Sequence, residues 1–291
     1  MDPKTIAGNV QSLFSLPEVA LRINACINSG NATNDELEKI ILHDPALTAK
    51  LLKLANSPYF NFPRKIETVS HAISLIGHKE LRNLVIATSV TSAFKDIPSD
   101  LVDMEAFWYH SVTCGVMARL IAEETNHKEQ ERFFIAGLLQ GIGKLILFTQ
   151  YPLESKKALI FKNQGEVAVT SAELEIFGFS HTALSAEFLK HWQLPDSIWK
   201  IIQFQSDPLN INAPTQDCCI LHVAAYIAGC IEPCANQTVN TDEIKLIYNT
   251  DAWNQLGLDP ESTQTIIGKT GLQIIEMLSI IKPEVKVATS Q

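Results

Sequence analysis

The sequence predicts an all-helical protein, on three observations. Capping residues recur at short intervals ahead of apolar-periodic runs, Pro, Gly or Asn closes those runs, and period-two alternation between glycine-bearing hairpin turns is almost absent. Thr33 followed by Glu36 makes a capping box for a helix running toward Leu42, side chain and backbone satisfying each other's orphan groups. In HDPALTAKLLKLANSPYF, Asp44 caps the next helix, Pro45 takes the first position, where its missing N–H costs nothing, and Asn56-Ser57-Pro58 ends it. His43-Asp44 is an HD dipeptide of the kind found in metal motifs, but the cap accounts for Asp44 in full. A helix from Thr68 to Ile76 closes at Gly77, and KELRNLVIATSVTSAF follows as another amphipathic element. Lys95 to Asp100 sets Pro98 among polar residues between two periodic segments, so an amino-terminal helical subdomain is expected over 1–99 and a second over 100–291. Further helices are expected at 101–124, 130–148, 166–177, 181–192, 196–204 and 215–230, with Ser180 and Pro195-Asp196 at two of the starts. Two or three more fill Thr241 to Ile281, one opened by Asp259-Pro260.

Composition narrows the function. The 291 residues are 46% hydrophobic, enough for a real core, and 23 basic against 32 acidic residues leave a net charge of -9. That field repels nucleic acid and anionic lipid. No signal peptide or membrane span is read in the sequence, and the six cysteines lack framework spacing, so free thiols in the cytoplasm are expected.

In FWYHSVTCGVMARLIAEE, His110, Cys114, Met117 and Ile121 share one helix face, which turns a histidine toward the core. Thirty residues on, Gln140-Gly141 sits in the apolar frame GLLQGIGKLIL. With DPALTAKLLKLANSPYF, TVSHAISLIGHKELRNLV and HTALSAEFLKHWQLPDSIWKII, this frame resembles the HDOD (HD-related output domain) family, a divergent branch of the HD and HD-GYP metal-dependent phosphohydrolases. The likeness runs from about Leu16 to Gly229. It implies an HD-domain-like helical bundle, bacterial signal transduction without catalysis, and a link to cyclic di-GMP signalling through the hydrolytic branch.

Carried over residue by residue, the resemblance puts His110 on the first metal ligand, Gln140 and Gly141 on the His-Asp pair, and Ala225 on the last aspartate. In the cyclic di-GMP branch His181 matches a further histidine, and Gln205-Ser206 fall on a His-His pair. Glycine and alanine offer no ligand, and a neutral amide suits hydrolytic metals poorly. His110 and His181 are the residual candidates, each also readable as a hydrogen-bonded core histidine. Neither a catalytic metal nor another cofactor is expected. Glu187 and Asp217 are the candidate carboxylates for restoring the balance of charge, although Asp217 is about two helical turns from Ala225.

Other constellations are weaker. Cys218, Cys219, His222, Cys230 and Cys234 invite a zinc reading without any Cys-x-x-Cys pair. AISLIGHKELRNLV, with His78, Lys79 and Arg82 beside Gly77, has the outline of a helix-turn-helix in an acidic chain. The expected function is a regulatory module that binds a protein partner or a small ligand. A phosphohydrolase with a rearranged site is the alternative, and a DNA-binding regulator the third reading.

Overall fold

The computed structural model describes residues 1–281 except Asn61, Lys95, Asp96, Pro98, Ser99, Ile211, Pro214, 232–238, Asn240 and Asn249. In chain order its helices are α1 (Pro3–Asn9), α2 (Glu18–Asn28), α3 (Asn34–Leu42), α4 (Pro45–Ala55), α5 (Val69–Ile76), α6 (His78–Ala93), α7 (Met104–Glu124), α8 (Glu131–Leu139) and α9 (Ile142–Gln150). They continue as α10 (Pro152–Leu159), α11 (Glu166–Phe177), α12 (His181–His191), α13 (Asp196–Gln203), α14 (Thr215–Gly229), α15 (Thr241–Ile247), α16 (Asp251–Leu256) and α17 (Pro260–Ile281). Among the described residues there is no strand, only an isolated bridge between Ile231 and Val239. The all-helical expectation holds.

Local chemistry explains the helix starts. Thr33 and Glu36 form the reciprocal capping box on α3, and the Asp44 carboxylate accepts from the Leu47 N–H at 3.0 Å. Asp44 is the N-cap of α4, as its position before Pro45 requires. Ser180 caps α12 by accepting from the Ala183 N–H. Gly77 ends α5 at φ +82°, a left-handed conformation that disfavours any side chain. Three helices escaped the sequence reading: α1, α2 and α10. Pro17 precedes α2 and Tyr151 precedes α10, and neither supplies a side-chain cap.

The stretch expected as one helix over 130–148 is two, α8 and α9, interrupted at Gln140-Gly141. Ser185 on α12 closes the interruption. Its Oγ accepts from the Gly143 N–H at 2.8 Å and donates to the Gln140 carbonyl at 2.9 Å, so backbone groups released by the break are satisfied from another helix. The run Glu131–Gln150 is apolar and long enough to span a bilayer, but 83% of its apolar window is buried inside the protein.

One apolar core extends from Ile6 in α1 to Ile281 in α17. The division expected near Pro98 falls on Pro98, Lys95, Asp96 and Ser99, outside the described residues. The most extensive helix pairing is α7 on α8. A Cβ on Gly137 would lie 2.6 Å from the Gly115 Cα, so the two backbones touch where neither helix has a side chain.

Between the amino-terminal helices and that pair lies a polar seam. Arg119 Nη2 donates to the Tyr59 carbonyl at 3.0 Å, with the guanidinium 4.2 Å over the Tyr59 ring. Nearby, the Glu80 Oε1 is buried without a hydrogen-bond partner. Burial first, then Glu131, pushes the Glu80 carboxyl up to about 8 against the opposing pulls of Asn83, Arg119 and Arg82.

Candidate functional site

α7 carries His110 toward α14, where it hydrogen-bonds the backbone at Ala228, one turn beyond Ala225. One turn before His110, the Phe107 ring packs on Gly141. A Cβ built at Gly141 would meet the ring at 3.2 Å. A side chain at 141 would therefore press on the edge of the Phe107 ring, which would have to shift by a few tenths of an ångström.

The break between α8 and α9 points the next turn at α12. A Cβ on Gly143 would lie 2.1 Å from the His181 carbonyl, so only glycine permits this approach. It brings Lys144 to His181. The Lys144 ammonium is 2.6 Å from Glu166 Oε1, and that same oxygen is 3.6 Å from His181 Nε2. On the other side, Glu173 Oε2 accepts from the His181 backbone N–H at 2.8 Å and from Nδ1 at 2.7 Å. Nδ1 thus carries its proton toward Glu173, which leaves Nε2 facing Glu166.

Glu166 opens α11 and exposes 57% of its side chain, while the carboxylate is directed onto Lys144. Burial would raise its carboxyl, but Lys144, then His181 and His110, outweigh that and hold it below the ordinary carboxylate range. His110 is only partly accessible. Burial, and next the Lys144 charge, lower its imidazole to about 4, against the opposing effects of Glu166 and the Ala228 backbone. His110 is consequently neutral at physiological pH.

The structure gathers His110, Gly141 and His181 around Lys144 and Glu166, with Ala225 on α14 near the His110 contact. Gln140 is buried and engages Ser185 through its backbone. Gln205 is buried and Ser206 exposed in the turn after α13, and the Gln205 carbonyl pairs with His222 Nδ1 at 2.9 Å. The two carboxylates singled out in the sequence are engaged elsewhere. Glu187 pairs with Lys190; Asp217 lies 2.8 Å from Arg132 and 3.7 Å from His127.

The carboxylates at the site are instead Glu166, paired with Lys144, and Glu173, paired with His181. Lys144 was visible inside the frame GLLQGIGKLIL. The glutamates gave a fainter signal, a seven-residue repeat that puts both on one face of α11.

A divalent metal does not suit these groups. Gly141 supplies no ligand and has the Phe107 ring against it, and the Lys144 charge already acts on His110. Among the described residues no three His, Cys, Asp or Glu side chains cluster in a way that could hold a metal.

The cysteines do not converge on His222. Cys218 Sγ is directed to the Lys200 and Ile201 carbonyls and Cys230 Sγ to the Tyr226 carbonyl, while Cys234 lies outside the described residues. Burial, then Asp217, raises the Cys218 thiol to about 12. At the helix-turn-helix outline, Arg82 is buried with Nη1 on Asn28 Oδ1 at 3.1 Å, His78 bonds Asn34, and Lys79 lies 3.5 Å from Glu129.

The architecture is that of an HD-like helical bundle. The chain belongs to the HDOD domain family, which it matches over residues 13–208. A provisionally named phosphohydrolase from Shewanella amazonensis shares the fold at a TM-score of 0.72 and 22% identity, over 95% of this chain and 97% of that one. An HDOD domain protein of unknown function from Geobacter sulfurreducens gives 0.68 and 22%, over 98% of each chain. An uncharacterized protein of Treponema pallidum is 23% identical over 201 residues, 69% of this chain; the match spans 39% of that protein's length.

Proposed function

We propose that this chain is a non-catalytic signalling module of the cytoplasm, acting by binding a protein partner or a small ligand. The observation that carries this is the lack of donors at the positions the resemblance assigns to a metal: Gly141 and Ala225 bear no ligand atom, and Gln140 engages Ser185 through its backbone. Without several charged or strongly donating side chains, no divalent ion is held to lower the pKa of a bound water toward ~7. Lys144, part of the same frame, ties α9 to α11 through Glu166 at 2.6 Å.

The competing reading, a phosphohydrolase with a rearranged site, draws on Glu166 and Glu173 flanking His181, and on the name of the Shewanella relative. Metal content and hydrolysis separate the two. Purified chain assayed with manganese on bis-p-nitrophenyl phosphate and on cyclic di-GMP is expected to carry no stoichiometric metal and to release no product. Metal-stimulated hydrolysis that disappears in His110→Ala would overturn the proposal. DNA binding draws no support from the buried Arg82 or the Glu129-paired Lys79.

A further inference from the structure

The outer faces of α10 and α11 share one pattern. Leu153 in the first turn of α10 and Ile160, the C-cap residue seven positions on, are 70% and 74% exposed; Val167 and Leu174 repeat that spacing on α11 at 75% and 51%. Seven residues make about two turns, so each pair shares a face about 10 Å apart. The two helices pack against each other, and Phe161, 39% exposed, lies in their connection. Their inner faces are already used, by Ser155 and Ala158 on α10 and by Val169, Ala172, Glu173 and Phe177 on α11. The outward residues are exposed apolar side chains that these inner contacts leave unused, and apolar side chains gathered on one helical hairpin are a feature of interaction sites.

Basic side chains flank the α10 half of this face, while on α11 Glu166 and Glu173 are engaged with Lys144 and His181 and Glu175 is exposed. Lys156 and Lys157 stand between Leu153 and Ile160, and Lys162 follows Phe161; across 152–165 these three lysines face one acidic residue, Glu154, in a chain of net charge -9. Lys156 reaches Asp100 at 3.0 Å, while Lys157 and Lys162 are exposed. We infer that the α10–α11 face docks an acidic amphipathic segment of a partner protein, an inference that rests on the reading of this chain as a binding module and names the surface it uses. Lysines around apolar anchors favour an acidic partner and reject a basic one. An anionic membrane fits less well, because lipid-binding clusters carry roughly 4–8 basic residues and the net charge opposes approach. A second copy meeting this face isologously sets lysine against lysine. Glu166, turned inward onto Lys144, directly precedes Val167, so the docking face and the former metal site share the first turn of α11.

The probe is a fluorescein-labelled amphipathic peptide with leucines on one face and glutamates on the other, titrated with the full chain and followed by anisotropy. Saturable, salt-sensitive binding is expected, weakened about tenfold or more, or about 1.4 kcal/mol, in Ile160→Ser/Val167→Ser and in Lys157→Glu/Lys162→Glu. Both double variants alter exposed side chains and should keep the parent melting temperature. The same peptide with lysines for glutamates should not bind. The inference is overturned by absence of saturable binding, by equal binding of the basic peptide, or by full affinity in both variants. It is equally overturned by Ile160-dependent sedimentation with phosphatidylglycerol vesicles, or by a dimer abolished in Ile160→Ser/Val167→Ser. A chain that hydrolyses phosphodiesters and still binds the acidic peptide would defeat the functional proposal and leave this surface standing; the converse result would do the opposite.

Discussion

Lys144 Nζ and Glu166 Oε1 meet at 2.6 Å, joining α9 to the first turn of α11 at the point where His110 and His181 converge. The lysine acts on His110 through space, as the second cause, after burial, of its lowered imidazole. Lys144→Met removes that charge and keeps the length of the side chain. The His110 imidazole should then titrate higher than its present value of about 4, and stability should fall by no more than about 1 kcal/mol because Glu166 is largely exposed. Imidazole proton shifts followed against pH would show it. An unmoved His110 would mean that Lys144 is farther from the ring than the structure places it.

Phe107 sets the terms for any attempt to rebuild a metal site. Gln140→His, Gly141→Asp and Ala225→Asp together supply the missing ligand types, but a side chain at 141 meets the Phe107 ring at 3.2 Å from its first carbon. The triple variant should bind manganese no better than the parent. Adding Phe107→Ala should tighten binding by at least about tenfold, the usual scale of a shell that orients ligands, as read by calorimetry. Strong binding by the triple variant alone would show that Phe107 yields freely.

Ser185 holds the broken helix together, so Ser185→Ala is a sharp test of the geometry. The Gly143 N–H loses its acceptor and the Gln140 carbonyl its donor, both in a fully buried setting. Each unsatisfied group costs about 1–3 kcal/mol, and the melting temperature should drop accordingly without loss of helix content. A variant as stable as the parent would mean that the Gln140-Gly141 break is satisfied by other means.

Much of this was legible in the sequence. Thr33, Asp44, Ser180 and Gly77 announced their helices because caps and left-handed stops act over three or four residues. The break at Gln140-Gly141 was not legible, since its partner Ser185 arrives 45 residues later. The site shows the same division between near and distant. His110, His181 and the Gln140-Gly141 frame stood out as a motif, but nothing local singled out Glu166 and Glu173, whose partners Lys144 and His181 lie on α9 and α12. Glu187 and Asp217 were the expected carboxylates because they lie near the motif in sequence; in space they belong to Lys190 and Arg132.

Asp44 separates a cap from a metal ligand. Its carboxylate accepts from Leu47 N at 3.0 Å at the start of α4, and loss of such a cap costs about 1 kcal/mol. Asp44→Ala should lower the urea midpoint by that amount while Asp44→Ser recovers most of it. The metal content of the purified protein should be the same in both. Failure of serine to recover stability would deny the capping role.

Glu80 gives the protein a pH dependence of defined sign. In the folded chain its carboxyl titrates at about 8, against an ordinary 4.5. Between those values the folded state keeps a proton that the unfolded state has released, so stability falls as pH rises from 4.5 to 8 and levels off above it. The groups facing Glu80 are Glu131 on α8, Arg119 on α7, Tyr59 after α4, and Arg82 and Asn83 on its own helix. Glu80→Gln substitutes a neutral side chain of the same shape and removes this contribution. At pH 5 the variant and parent should unfold at similar urea concentrations; at pH 8 the variant should be the more stable, by an amount on the order of 1 kcal/mol once partial exposure is allowed for. All other titrating groups are common to both proteins, so the difference between their curves isolates Glu80. Parallel curves across that range would mean that the carboxylate is already ionised at neutral pH, compensated by Arg119 and Arg82 more fully than its buried, unpartnered oxygen implies.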